Sequence, residues 1–156
     1  WYQQALDYDL EFAPAYNNLG RLYLLQNDPA KAQEILSAGL VVLENASADE
    51  QTTLVTRYRL LTHLGQAYYE QEQFTLAALT LDDVIALEVS GELNSQFFAS
   101  RPHYYLALTY EALARPAEDI IRQLELALGY LDAGDPAIWR TMISEQLDVL
   151  REVETE

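Results

Sequence analysis

Cysteine is absent from the 156 residues. Disulfide staples, thiolate metal sites and cysteine nucleophiles are therefore excluded, although the absence says nothing of the compartment. Basic residues are scarce, 9 against 25 acidic ones, for a net charge of −16. Phosphate backbones and anionic lipid repel such a chain, which argues against nucleic acid as a partner. No apolar run approaches the roughly 20 residues that a membrane-spanning helix needs, and no signal-peptide pattern opens the chain. Membrane insertion is not expected; the compartment stays open, with the cytoplasm favoured. No stretch alternates with period two for long enough to argue a strand.

Half of the chain is hydrophobic, enough for one domain with a real core rather than a disordered tail. A start at Trp1 rather than Met reads as an excision from something longer. All five prolines, Pro14, Pro29, Pro102, Pro116 and Pro136, stand where a helix could begin, because the first turn has no N–H partner to lose. Asp28-Pro29 and Asp135-Pro136 read as a cap followed by a first-turn proline, and Ser47-Ala48-Asp49-Glu50 as a capping box. Gly91 and Gly134 lie where helices should stop. Apolar spacings of three and four between these marks predict eight helices, near 2–10, 14–26, 29–44, 49–71, 74–89, 101–114, 116–132 and 136–153. Residues 92–100 read either as a loop or as the first part of a helix kinked at Pro102.

The chain repeats itself. Tyr16-Asn17-Asn18-Leu19-Gly20-Arg21-Leu22-Tyr23 is followed by Ala32 and Ile35-Leu36. Leu61-Thr62-His63-Leu64-Gly65-Gln66-Ala67-Tyr68 is followed by Ala77 and Leu81. His103-Tyr104-Tyr105-Leu106-Ala107-Leu108-Thr109-Tyr110 is the third copy, closed by Ala127-Leu128 after a turn one residue longer. Gly20, Gly65 and Ala107 would let the first helix of each pair approach the second, and Tyr23, Tyr68 and Tyr110 would fill the space one turn on. This pattern resembles the tetratricopeptide repeat (TPR) family. The copies are spaced 45 and 42 residues apart instead of the usual 34, similar to the longer-repeat branch of that family. The resemblance implies an all-α solenoid of antiparallel helix pairs in a right-handed superhelix, one domain over 1–156. Residues 1–10 would be the second helix of a truncated repeat, 14–46, 49–89 and 93–133 the repeats, and 136–153 a capping helix.

Catalytic chemistry finds no footing, and no enzyme activity or cofactor is expected. His63 and His103 have no third ligand at metal spacing, and His103 occupies a packing slot. Asp82 and Asp83 point about 100° apart on a helix. Asp7, Asp9 and Glu11 lack the glycine and terminal glutamate of a calcium loop. One charge pattern remains. None of the 25 acidic residues falls in windows 12–27, 51–69 and 93–110, yet four of the nine basic ones do: Arg21, Arg57, Arg59 and Arg101. Simple enclosure of the first helices explains the missing acids but not the retained arginines.

In the family, first helices line a concave groove and second helices face outward, so the resemblance implies a comparatively basic groove in an acidic shell. The helical wheel places Asn17, Arg21, Arg59, Thr62, Gln66, Tyr69, Arg101 and Tyr104 on the groove face. These groups suit an extended protein or peptide segment, acidic or ending in a carboxylate. The clamp with which some family members hold chaperone tails is not reproduced: Asn17 stands where a lysine is expected, and Arg21 where an asparagine is. Two other readings remain open. One is a structural segment that self-associates through the truncated N-terminal repeat. The other is a regulatory module of a larger bacterial signalling protein.

Overall fold

The computed structural model describes residues 12–153. Within them the chain is all-helical, with no strand. Seven α-helices follow one another: α1 (Ala13–Leu25), α2 (Pro29–Asn45), α3 (Glu50–Glu70), α4 (Phe74–Val89), α5 (Ser100–Ala112), α6 (Ala117–Gly129) and α7 (Trp139–Val153). The helix expected over 2–10 lies outside the described residues.

The starts follow local chemistry. Asp28 caps α2 by accepting from the Lys31 N–H at 3.1 Å, with Pro29 in the first turn. At α3 the cap is Asp49 rather than Ser47; its carboxylate accepts from the Thr52 N–H at 2.9 Å. The expected start at Asp135-Pro136 is not used, and α7 begins at Trp139. Asp135 faces backward instead, accepting from the buried Ser100 hydroxyl at 2.6 Å and from the Asp132 N–H at 3.1 Å. Gly91 stops α4 with φ of 75°, whereas Gly134 adopts no such conformation and α6 has already ended at Gly129.

The three turns inside the helix pairs share one geometry. Asn27, Glu72 and Ala114 sit in the left-handed region at φ of 58°, 59° and 52°. The next N–H groups, from Asp28, Gln73 and Arg115, donate to the carbonyls of Tyr23, Tyr68 and Tyr110, each at 2.9 Å. This is the 6→1 bond of a Schellman ending, which satisfies carbonyls a helix end would otherwise orphan. The repeated tyrosines thus mark the turn through their backbone. Their side chains are partly buried and pack against the core clusters.

Each helix packs on the next, and α3 also packs on α1 and on α5. Within the first two pairs the approach is set by glycine. A Cβ on Gly65 would lie 2.5 Å from Leu81 Cγ, and one on Gly20 would collide with Leu36 in the same way. Ala107 is fully buried in one cluster with Leu124 and Ala127. Between the first two pairs, Gly39 of α2 meets Tyr16 of α1 and Leu60 of α3; an added Cβ would lie 2.6 Å from Tyr16 Cβ.

The 92–100 segment is a loop with a short 3-10 turn at Ser95–Phe97, not an extension of α5. It is anchored: Leu93 is 2 % exposed and packs with Val55, Tyr58 and Val84, flanked by Phe97 and Phe98.

Replacing Gly65 with leucine should overpack the α3–α4 contact and cost about 1–3 kcal/mol. Gly129 has nothing within 4 Å of its missing Cβ, so Gly129→Ala should instead stabilise by about 0.5 kcal/mol through helix propensity. Denaturant midpoints that move in opposite directions for the two variants are the expected outcome.

Candidate functional site

The eight residues read from sequence as one face belong to α1, α3 and α5, the helices that pack side by side. Their roles divide by burial. Asn17, Thr62, Gln66 and Tyr104 are buried, whereas Arg21 and Arg59 are exposed and Tyr69 and Arg101 half-exposed.

The buried members are engaged within the protein. Asn17 Oδ1 lies 2.8 Å from His63 Nδ1. An amide oxygen only accepts, so the ring proton is on Nδ1 and Nε2 carries a lone pair. The Thr62 hydroxyl donates to the Tyr58 carbonyl at 2.7 Å, four residues back on its own helix. Gln66 donates to Glu70 Oε1 at 2.7 Å and accepts from Arg101 Nη1 at 3.0 Å. Tyr104 packs on Trp139 of α7, with ring centroids 4.4 Å apart, and edge-on to Tyr105. Trp139 also carries the Arg101 guanidinium over its ring at 5.2 Å. Tyr105 meets Tyr69 edge-on at 5.6 Å.

Three arginines lie near His63 in the fold. Arg59 precedes it by one turn on α3, Arg21 follows its partner Asn17 by one turn on α1, and Arg101 of α5 bonds to Gln66, three residues after it on α3. Burial pushes the His63 imidazole down to about 3, and the charges of Arg101, Arg21 and Arg59 act in the same direction. His63 is therefore neutral at physiological pH. None of the three arginines has a carboxylate within 4.0 Å among the described residues. Of the other six cations, Lys31 pairs with Glu34, Arg115 with Asp119 and Arg151 with Glu125, whereas Arg57, Arg122 and Arg140 have no carboxylate within 4.0 Å among the described residues. The acids of the second helices named by the charge pattern, Glu34, Asp82, Asp83, Glu118 and Glu125, are all exposed. Past the arginines the surface turns aromatic. Burial raises the phenols of Tyr69 and Tyr104, and the nearby Glu111 adds to both shifts.

The second histidine sits in a closed polar chain. His103 is 1 % exposed; its Nδ1 lies 2.8 Å from Gln123 Oε1, and its ring stacks on Tyr130. Its Nε2 is 2.9 Å from Glu88 Oε2, though without the alignment of a hydrogen bond. Glu88 Oε1 accepts from the Tyr58 hydroxyl at 2.7 Å, and that oxygen accepts from the Ala99 N–H at 3.0 Å. Burial, reinforced by the Glu88 charge, raises the Tyr58 phenol. This chain ties α3, α4, α5 and α6 together. No group of three or more histidine and carboxylate side chains suited to a metal occurs among the described residues. A cleft of about 640 Å³ opens between the start of α1, the end of α2 and the start of α3. Its described lining, which includes Phe12, Pro14, Val41 and Thr56, carries no titratable side chain.

Sequence reasoning missed His63 and Trp139 as parts of this surface. His63 stands beside Thr62 in a repeat whose counterparts, Asn18 and Tyr105, carry no such role, and Trp139 lies beyond the repeats altogether.

His63 should make folding pH-dependent in a defined sense. Its folded-state proton affinity lies below its unfolded value of about 6.5. Its contribution is therefore fully present above pH 6.5 and is lost as pH falls toward 3. Between pH 7 and 5 this amounts to about 2 kcal/mol. Urea unfolding at both pH values should show the pH 7-to-5 loss shrinking by about that much in His63→Gln.

No protein-family model matches the chain, and no curated protein matches it.

Proposed function

We propose that the chain is a tetratricopeptide-type array of helix pairs that binds an acidic protein segment along the surface shared by α1, α3 and α5. The observation that carries this reading is the placement of three arginines, none with a carboxylate within 4.0 Å among the described residues, on three helices of which the middle one packs on both others, in a protein with net charge −16. The repeated turn, the Gly65–Leu81 contact and the packing of α3 on both α1 and α5 support the helix-pair array. In such an array the odd-numbered helices line the concave side and the acidic second helices face outward. Asn17, Thr62, Gln66 and Tyr104 then act as supports, while Arg21, Arg59, Arg101 and Tyr69 meet the ligand. The reading assigns no catalytic step, no cofactor, and no nucleic-acid or membrane partner.

A second reading has one specific observation behind it. Met142 and Val149 are exposed seven residues apart on α7, and Ile138, in the turn just before it, is exposed as well, an apolar patch on which a further helix or a second copy could stack. Sedimentation at micromolar concentration separates the two readings, since a stable monomer removes the self-association one.

Exposed charge pairs contribute about 0.2–1 kcal/mol each, so affinity should be modest and should fall with salt. A displayed random-peptide library selected against this protein should enrich sequences rich in Asp and Glu. Arg21→Glu/Arg59→Glu alters only exposed side chains and should abolish that enrichment while leaving helical circular dichroism unchanged. Enrichment of neutral or basic peptides, or equal binding to the variant, would overturn the proposal.

A further inference from the structure

We infer that the segment this surface takes carries an acidic and a bulky apolar residue two positions apart, the carboxylate on Arg101 and the apolar side chain on the rings of Tyr69 and Tyr105. The inference rests on the acidic-segment reading and adds an apolar half to it.

The site is a ladder of two rungs between α3 and α5. Gln66 and Arg101 form the first: Arg101 Nη1 donates to Gln66 Oε1 at 3.0 Å. Tyr69 and Tyr105 form the second, edge-on with ring centroids 5.6 Å apart. Tyr69 follows Gln66 by three residues and Tyr105 follows Arg101 by four, so the rungs stand about one helical turn, roughly 5–6 Å, apart. Trp139 of α7 backs both. The Arg101 guanidinium lies 5.2 Å from its ring centroid, and the Tyr105 ring 6.2 Å. Phe74, at the start of α4, extends the second rung with its ring 5.7 Å from that of Tyr69.

The first rung is charged and not neutralised. Among the described residues Arg101 differs from the other arginines that lack a carboxylate within 4.0 Å, because protein contacts hold its guanidinium in place. Gln66 takes one of the five N–H groups that a guanidinium offers and leaves the others for a ligand. The same amide donates to Glu70 at 2.7 Å, so it stands between that carboxylate and the arginine. A guanidinium already fixed in this way binds a carboxylate at less entropic cost than a mobile surface arginine does.

The second rung is apolar. Tyr69, Tyr105 and Phe74 are half-exposed and offer ring surface rather than charge. The charges of Glu111 and Glu70 act on the Tyr69 phenol, so a second ligand carboxylate is repelled at this end. The acid of the ligand therefore belongs at Arg101 and the apolar side chain at the tyrosines.

An extended chain fits both rungs. Its alternate side chains share one face and lie about 6.6 Å apart, which matches the rungs to within the reach of a side chain. Adjacent residues point to opposite faces and fill only one rung.

The test uses the whole chain and dye-labelled ten-residue Gly/Ser peptides at low ionic strength, read by fluorescence anisotropy. One peptide carries a single glutamate, one a single leucine, one both as neighbours, and two carry both with one serine between them, in either order. One of the two spaced peptides should bind about tenfold more tightly than the glutamate peptide and than the adjacent pair. Arg101→Gln should remove its advantage over the leucine peptide, and Tyr69→Ser its advantage over the glutamate peptide, with unchanged circular dichroism. Where a variant loses helicity, the peptide series on the unaltered chain decides alone. Spaced peptides that bind no better than the glutamate peptide would overturn the inference and leave the acidic-segment reading intact. An adjacent pair as tight as the spaced ones would overturn the two-residue register. A leucine peptide as tight as the spaced ones, or no peptide better than one of glycine and serine alone, would sink both this inference and the reading beneath it.

Discussion

Leucine seated against glycine is the contact on which the helix array depends. Gly20 and Gly65 each cost their helix about 1 kcal/mol in propensity. In return Leu36 and Leu81 are fully buried against them, and burying one such side chain contributes about 1.5–3 kcal/mol. The third pair uses Ala107 with Leu124 and Ala127. Close approach within a pair lets the next pair stack, and Gly39 repeats the device between α2, Tyr16 of α1 and Leu60 of α3. With α1, α3 and α5 drawn side by side, residues far apart in sequence become neighbours.

The arginine surface is a product of that alignment. Asn17 and His63 meet across 46 positions of chain, and Gln66 and Arg101 across 35. Each contact satisfies polar atoms that burial would otherwise leave without partners. Because amides and a neutral imidazole perform this task, the charges above them stay available. Had carboxylates supplied the same bonds, the guanidinium groups would be neutralised before any ligand arrived.

Features with local causes were legible in the sequence. The close approach at Gly20 and Gly65, the Asp28 cap and the extra residue of the third turn each depend on neighbours within two consecutive helices. Helical periodicity also put Arg21, Arg59 and Arg101 on three successive first helices, where the structure leaves Arg21 and Arg59 exposed and Arg101 half-exposed. Periodicity does not say which face residues sink below the surface. That depends on the distance between helices, which is why Asn17, Thr62, Gln66 and Tyr104 lie deeper than the wheel suggested. Asp135 misled because a cap signature and a long-range acceptor look alike until Ser100 is in place. Gly39 did carry a readable signal: a glycine inside a strong helical pattern marks a close approach.

The Tyr58 hydroxyl has one further consequence. It accepts from Ala99 in the loop before α5 and donates to Glu88, which lies against His103. An irregular segment would ordinarily exchange its amide protons with solvent through small local openings. The Ala99 amide is held instead by the phenol that links α3 to α4, and Leu93 of the same loop is buried against Tyr58 and Val84. The loop is thereby enrolled in the same cooperative unfolding unit as the helices on either side of it, so the boundary between the second and third pairs behaves as a joint rather than a tether.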